Sequence, residues 1–242
     1  MILRILAVGD VVGAPGLAFL SEHLRAFKEQ EHIDFTVVNG ENANVVGVTP
    51  KQADAIFAAG ADVITLGNHT FGKMQITDYL DDCPYILRPH NLGARVPGRG
   101  YGVFDCGRAR IAVMNLIGRC DLAFHADNPF KTADELLKSG EKPTFTLLDF
   151  HAEATSEKLA MAYYLDGRVS AIWGTHTHVP TADEEVFPKG TGYLTDLGMT
   201  GAVRSVLGIR PEQSVETFLG GLPGRYREPE KSAGKMQGAI FT

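Results

Sequence analysis

An α/β fold is predicted by three observations. Strand-like and helix-like patterns alternate through the first third of the chain, each early strand ends in a polar cluster, and the length allows a full core. The 242 residues are 44% hydrophobic and 21% charged, the composition of a globular protein. A single α/β domain of this length is ordinary, and no repeat, low-complexity tract or linker divides residues 1–242.

Ile2 to Val8 reads as a central strand, with Arg4 near its start, and it ends at Gly9-Asp10-Val11-Val12-Gly13. Beyond Pro15, residues Leu17, Leu20, Leu24 and Phe27 recur at helical spacing across Gly16–Gln30. Phe35–Val38 is a second buried strand, followed by Asn39-Gly40-Glu41-Asn42-Ala43-Asn44. Thr49-Pro50 reads as an N-cap with proline at the first helical position, and Gly60 stops that helix after Ala59. Val63–Leu66 is the third strand, ending at Gly67-Asn68-His69. Ligands of open α/β sheets bind at the carboxyl ends of strands, so these repeated polar endings point to a site.

The middle is less regular. Gly93–Gly100 reads as a loop, and Tyr101–Asp105 with Arg110–Leu116 as a hairpin turning at Cys106-Gly107-Arg108. Asp127–Gly140 reads as a loop and a short helix. Thr144–Phe150 is a strand ending at His151, and Thr155–Leu165 is helical before an Asp166-Gly167 turn. Val169–Trp173 leads into Gly174-Thr175-His176-Thr177-His178, and Gly192–Thr195 precedes Asp196-Leu197-Gly198. Beyond Arg210 a polar tail carries a short helix, and Met236–Phe241 reads as a late strand.

A net charge of −6 lacks the basic footprint of a duplex nucleic-acid binder. A small anionic substrate is compatible with it, because bound cations reverse the local field. Cys83, Cys106 and Cys120 are odd in number and lack zinc spacing, which argues against a disulfide framework. Met1–Val8 is too short for a signal peptide, and no apolar run approaches a membrane span. The cytoplasm is the expected compartment.

The carboxylate and the amides of Asn39–Asn44 form an ordinary Asx-rich turn or, alternatively, a cation site. In the second case Glu41 bridges two ions and Asn42 adds a neutral oxygen. Asp10 reads equally as a cap, and His151 as a hydrogen-bonded structural histidine. His176 and His178 are two apart, so in an extended segment they share a side. The set Asp10, Glu41, Asn42, Asn68, His69, His151, His176 and His178 offers oxygen and imidazole donors without cysteine. Such donors suit iron, manganese or zinc, and two such ions form the usual clamp for phosphate-ester hydrolysis. Asp149, Glu153 and Asp196 are candidate partners of ligating imidazoles. Thr70, Arg88 and Asn91 are candidates for substrate contact, though nothing in their spacing fixes that role. His90 and His125 lie in loops able to approach the site, His23 and His32 are expected at the surface, and Trp173 in the core.

The order Gly9-Asp10, Gly40-Glu41-Asn42, Gly67-Asn68-His69, His151 and Gly174-Thr175-His176-Thr177-His178 resembles the calcineurin-like metallophosphoesterases. Two departures stand out: Asp10-Val11-Val12 replaces the usual Asp-x-His, and Gly40-Glu41 replaces Gly-Asp. With the segments Asp149–Lys158 and Thr195–Gly201, the chain resembles the YmdB-like metallophosphoesterases over essentially its whole length. The resemblance implies a four-layer α/β sandwich with two metal ions, iron first, and hydrolysis of 2′,3′-cyclic nucleotides such as 2′,3′-cyclic AMP. It implies that Asp10, Glu41, Asn42 and His178 hold one ion, and that Glu41, Asn68, His151 and His176 hold the other. It further implies attack by a bridging hydroxide, with His69 as the acid that protonates the leaving ribose oxygen. A phosphomonoesterase or 5′-nucleotidase, and a nucleotide-sensing protein without turnover, are the alternatives. Homo-oligomerisation stays open, because an apolar patch is not readable without a fold.

Overall fold

The computed structural model describes residues 2–122, 125–138, 142–222, 224–230 and 232–242. In chain order the elements are β1 (Ile5–Val8), β2 (Asp10–Val11), α1 (Gly13–Gln30), β3 (Phe35–Asn39), α2 (Pro50–Ala59), β4 (Val63–Thr65), α3 (Ile76–Asp82) and β5 (Ile86–Leu87). They continue with β6 (Tyr101–Asp105), β7 (Arg110–Ile117), α4 (Pro129–Leu137), β8 (Phe145–His151), α5 (Thr155–Leu165) and β9 (Ala171–Thr175). The remainder comprises β10 (Glu185–Val186), β11 (Gly192–Leu194), β12 (Met199–Ala202), α6 (Pro211–Phe218), β13 (Gly234–Lys235) and β14 (Gly238–Phe241). A short 3-10 turn, His90–Leu92, follows β5.

Two sheets face each other. The first runs β14-β1-β3-β4-β5 and the second β10-β11-β9-β8-β7-β6, while a small sheet, β13-β12-β2, lies beside them. Side-chain alternation along the strands creates the layers. In β1, Ile5 and Ala7 enter the core between the sheets, together with Val113, Leu147 and Trp173 from the second sheet. Leu6 and Val8 face the other way, against Leu20, Leu24 and Ile56 of α1 and α2. In the second sheet Met114, Leu148 and Ile172 face outward onto Ala133, Met161 and Leu165 of α4 and α5. The result is the expected four layers, helix, sheet, sheet, helix.

The predicted elements recur with shifted ends. β1 begins at Ile5, where pairing with Phe35 and Phe241 starts; Arg4 N donates to the Asp34 carboxylate at 2.8 Å instead of to a neighbouring strand. α1 begins at Gly13, three residues earlier than the periodicity suggests, which places Pro15 in the first turn where its missing N–H costs nothing. Thr49 caps α2 as predicted, and its N–H donates to Gln52 Oε1 at 3.0 Å. Tyr101–Asp105 pairs antiparallel with β7, as the hairpin reading requires. Asn128 caps α4, accepting from Phe130 N at 3.0 Å; residues 139 and 140, the end of the predicted Asp127–Gly140 segment, lie outside the described residues. Among the described residues no helix is long and apolar enough to cross a membrane.

Candidate metal centre

β1, β3 and β4 are parallel neighbours, as are β7, β8 and β9. Their carboxyl ends deliver the polar clusters to one place, between the two main sheets. Asp10 opens β2 just beyond β1, Glu41 and Asn42 turn out of β3, and Asn68 and His69 follow β4. His151 is the last residue of β8, and His176 and His178 follow β9 in a turn where both adopt positive φ, 102° and 64°. All eight predicted residues therefore meet.

The buried half of the cluster centres on His151. Its Nε2 lies 2.8 Å from Asn68 Oδ1, 3.1 Å from His176 Nδ1 and 3.4 Å from Glu41 Oε1. Its Nδ1 faces Thr175 Oγ1 at 2.9 Å, and Thr175 in turn donates to Asp149 Oδ1 at 2.7 Å. Because the threonine proton is committed to Asp149, His151 Nδ1 must be the donor to Thr175, which leaves Nε2 aimed at the cluster. His176 is oriented from the opposite end, with Nε2 2.9 Å from Glu153 Oε2. Asp149 and Glu153 thus orient imidazoles, Asp149 through Thr175.

Asp196 does something else. It accepts from Lys158 Nζ at 2.7 Å, from Thr177 Oγ1 at 2.8 Å and from Gly198 N at 2.9 Å, so it shapes the histidine turn without touching an imidazole.

The other half is built from loops. Asn42 Nδ2 lies 2.9 Å from Glu41 Oε1 and 3.1 Å from His178 Nε2, while Asn42 Oδ1 faces His69 Nδ1 at 2.8 Å. His178 Nε2 lies 3.8 Å from Asp10 Oδ1. Asp10 Oδ2 accepts from His176 N at 3.1 Å, and Glu41 Oε2 accepts from His69 N at 3.0 Å.

The electrostatics follow from burial. Burial raises Asp10 to about 6 against the pull of His178 and His151. Burial works against charge on Glu41 and His151 alike, but their mutual attraction prevails: Glu41 is held well below the usual carboxylate range and His151 is pushed up to about 9. His176 is pushed down to about 3 by burial and by charge on His151, despite the Glu41 carboxylate.

Three features fit cations here. Asp10 Oδ1 is buried with no hydrogen-bond partner. Donor atoms of Glu41, His151 and His176 lie within 4.8 Å of one another. A Cβ at Gly67 would run into His151 Nε2 and Glu41 Oε2, so glycine is what lets the β4 loop close over them. Oxygen and imidazole donors of this kind hold iron, manganese or zinc.

Other candidates fall away. Thr70 Oγ1 donates to Gly67 O at 2.6 Å and is buried. Arg88 is buried and donates to the carbonyls of Pro89, His90, Gly93, Val96 and Pro97, so it organises its loop. Asn91 bridges Ile117 and Asp127 backbone atoms. His23, His32 and His125 are exposed, and Trp173 is in the core. His90 is half-buried, and desolvation and Arg88 lower its pKa. Three contributors escaped the sequence reading: Thr65 Oγ1 donates to Asp149 Oδ2, and two more act beside it. Thr175 links His151 to Asp149, and Asn39 holds Glu41 N at 3.2 Å and Asp149 Oδ2 at 3.3 Å. Their signal was position alone, a polar residue within three positions of a ligand candidate.

Residues 6–242 match the family model described as YmdB-like protein. A relative from Bacillus subtilis strain 168, named 2′,3′-cyclic-nucleotide 2′-phosphodiesterase, is 46% identical over 230 residues, covering 94% of this chain and 87% of the relative. The crystal structure of a novel phosphatase from Mycoplasma pneumoniae matches with a TM-score of 0.91 at 35% identity, covering 99% of this chain and 87% of that one. That of a hypothetical protein from Thermus thermophilus matches with a TM-score of 0.89 at 35% identity, covering 99% of both chains. The chain belongs to the YmdB-like protein family.

Proposed function

We propose that this chain is a metal-dependent phosphodiesterase that hydrolyses 2′,3′-cyclic nucleotides, with 2′,3′-cyclic AMP as the representative substrate. The observation that carries the reading is the convergence of Asp10, Glu41, Asn42, Asn68, His151, His176 and His178 at the strand ends. The name of the Bacillus relative supports the substrate class. In this reading Asp10, Glu41, Asn42 and His178 hold one ion, and Glu41, Asn68, His151 and His176 the other. Iron is the proposed metal, with manganese and zinc suited to the same donors. Ligation through Asn42 Oδ1 requires its amide to be reversed, because Nδ2 now faces Glu41 and His178. Residues 1–242 are read as one metallophosphoesterase domain, a reading supported by the pairing of β14 with β1.

Two bound cations would supply charge for the phosphate oxygens and a water acidified enough to attack phosphorus. The protein's own contribution is positional and acidic. His69 has a side chain 36% exposed, with Nδ1 2.8 Å from the Asn42 amide; with that amide reversed, Nδ2 donates to Nδ1 and the imidazole proton sits on Nε2, from which it can pass to the departing ribose oxygen. Burial of Asp10, Glu41 and His151 keeps bulk water from competing for the charges.

The test is turnover of 2′,3′-cyclic AMP by protein reconstituted with iron or manganese, beside Glu41→Gln, with the product identified. Conversion to one nucleoside monophosphate that vanishes in the variant is expected. Faster turnover of monoesters would replace this reading with a phosphomonoesterase, and tight nucleotide binding without product would replace it with a sensor.

A further inference from the structure

We propose that the loops bearing Asn42 and His69 open into a cationic groove that takes the backbone of a short single-stranded RNA ending in a 2′,3′-cyclic phosphate. This rests on the cyclic-phosphate reading above and enlarges its substrate from a mononucleotide to an RNA 3′ end.

A cavity of about 1010 Å³ is walled by the continuations of those two loops and by the segment 224–230. On one side Asn44, Val45 and Val46 follow Asn42 in the same turn, with Val45 N donating to Asn42 O at 2.8 Å. On another, Gly72 N donates to His69 O at 2.8 Å, a turn that delivers Lys73 to the cavity. Such a turn keeps its end Cα atoms within about 7 Å, so Lys73 lies one residue beyond that from His69.

The third wall is pinned by its backbone, which leaves its side chains available. Gln213 Nε2 donates to Arg225 O and Gln213 Oε1 accepts from Arg227 N, both at 2.9 Å. Arg210 N donates to Arg227 O, also at 2.9 Å.

The lining's charge favours a polyanion. Of the cavity's two acids, Glu230 pairs with Arg210 at 2.7 Å, while Glu228 accepts from Ala14 N at 3.0 Å and keeps its charge. Lys73, Arg225 and Arg227 have no ion pair among the described residues. Set against the one acid without a cationic partner, Glu228, these three cations leave the concavity net positive on a chain of net charge −6 and reverse the local field. A 2′,3′-cyclic mononucleotide has a single phosphate, already committed to the strand-end cluster, and cannot engage them. Phosphates upstream in an RNA strand can. Tyr226 lines the same wall, 60% exposed, and offers a ring on which a base stacks. An acidic peptide would satisfy the cations but would use neither the ring nor the neighbouring phosphate site. In the reaction, water adds to the terminal phosphorus, the P–O2′ bond breaks and O2′ takes a proton, leaving a linear 3′-phosphate end.

The experiment compares 2′,3′-cyclic AMP with an oligoribonucleotide of about five nucleotides ending in 2′,3′-cyclic phosphate, on metal-loaded protein at several salt concentrations. Fluorescence anisotropy of a 5′-labelled oligonucleotide of the same sequence reports binding independently of turnover. The expected KM for the oligonucleotide at low salt is about tenfold lower, with a log–log salt slope of affinity of about −2 for three phosphate contacts. Arg225→Ala with Arg227→Ala should erase that advantage and the anisotropy signal while leaving cyclic AMP turnover unchanged, and the Arg→Lys pair should restore most of both. Equal KM values in the wild type, a double alanine variant that binds the oligonucleotide as before, or equal competition by polyglutamate would each overturn the groove. Failure of wild-type protein to hydrolyse either cyclic substrate would instead sink the activity reading, and the anisotropy pair would still decide the groove.

Discussion

The two halves of the strand-end cluster are held by different means. Around His151 the polar groups are wired into the sheets: its Nδ1 reaches Asp149 through Thr175, and Thr65 and Asn39 from the facing sheet donate to the same carboxylate. Around His69 and His178 the supports are loop atoms. His69 leans on Asn42, and His178 Nδ1 meets the carbonyl of Leu207 at 3.2 Å. The buried half thus has fixed tautomers and little room, whereas the loop half has an amide able to reverse and rests on loop atoms. Rigidity sits where charge must be held, and adaptability where a substrate must enter.

The largest effect is expected on the loop side. His69→Ala should lower kcat by about 10²–10⁴-fold while bound metal, measured by elemental analysis, stays as in wild type; loss of metal would make His69 a structural residue. From the sheet side the sign reverses. Asp149→Asn should weaken metal retention by about 10–100-fold, and a normal metal content with slowed chemistry would refute the relay through Thr175.

A pH experiment sharpens the same contrast. In metal-free protein the His151 pKa lies near 9, above its ordinary 6.5. The stabilisation from pairing with Glu41 is therefore complete below about 6.5 and lost as pH rises through about 9. The melting temperature of metal-free protein should fall across that window, while cation uptake strengthens as His151 gives up its proton; a flat profile would argue against the buried ion pair. The smallest effect belongs to Glu153→Gln. Its side chain is 49% exposed, so its hold on His176 is screened, and only a few-fold change in kcat/KM is expected.

Much of this was legible beforehand, and for one reason. Val63–Leu66 and Phe35–Val38 are apolar runs that cannot be anything but buried strands, so Asn68 and Glu41 had to emerge at their ends. The supports were not legible, because a threonine or asparagine beside a ligand looks like any turn residue. Asp149 and Thr65 are 84 residues apart, and only the facing of two sheets brings them together. Arg88 misled in the opposite sense: a lone arginine before Pro89 suggests an anion, yet the folded loop turns it onto five carbonyls. β2, at two residues, is too short to leave a pattern, and it exists because β12 pairs with it.

The antiparallel pairing of Gly238–Phe241 with Ile5–Val8 carries a consequence for biosynthesis. Until residues 238–241 leave the ribosome, β1 is the open border of its sheet, a row of unpaired amides beside the strand that leads to Asp10. Gly9 N, which donates to Gln237 O, waits for the same segment. The nascent chain can assemble β3, β4 and their helices early, but its Asp10 corner sets only after residues 237–241 have emerged. A slow, length-dependent closing step is the expected signature, and a ribosome-arrested chain ending at Lys235 should mature its Glu41–His151 side ahead of its Asp10 side.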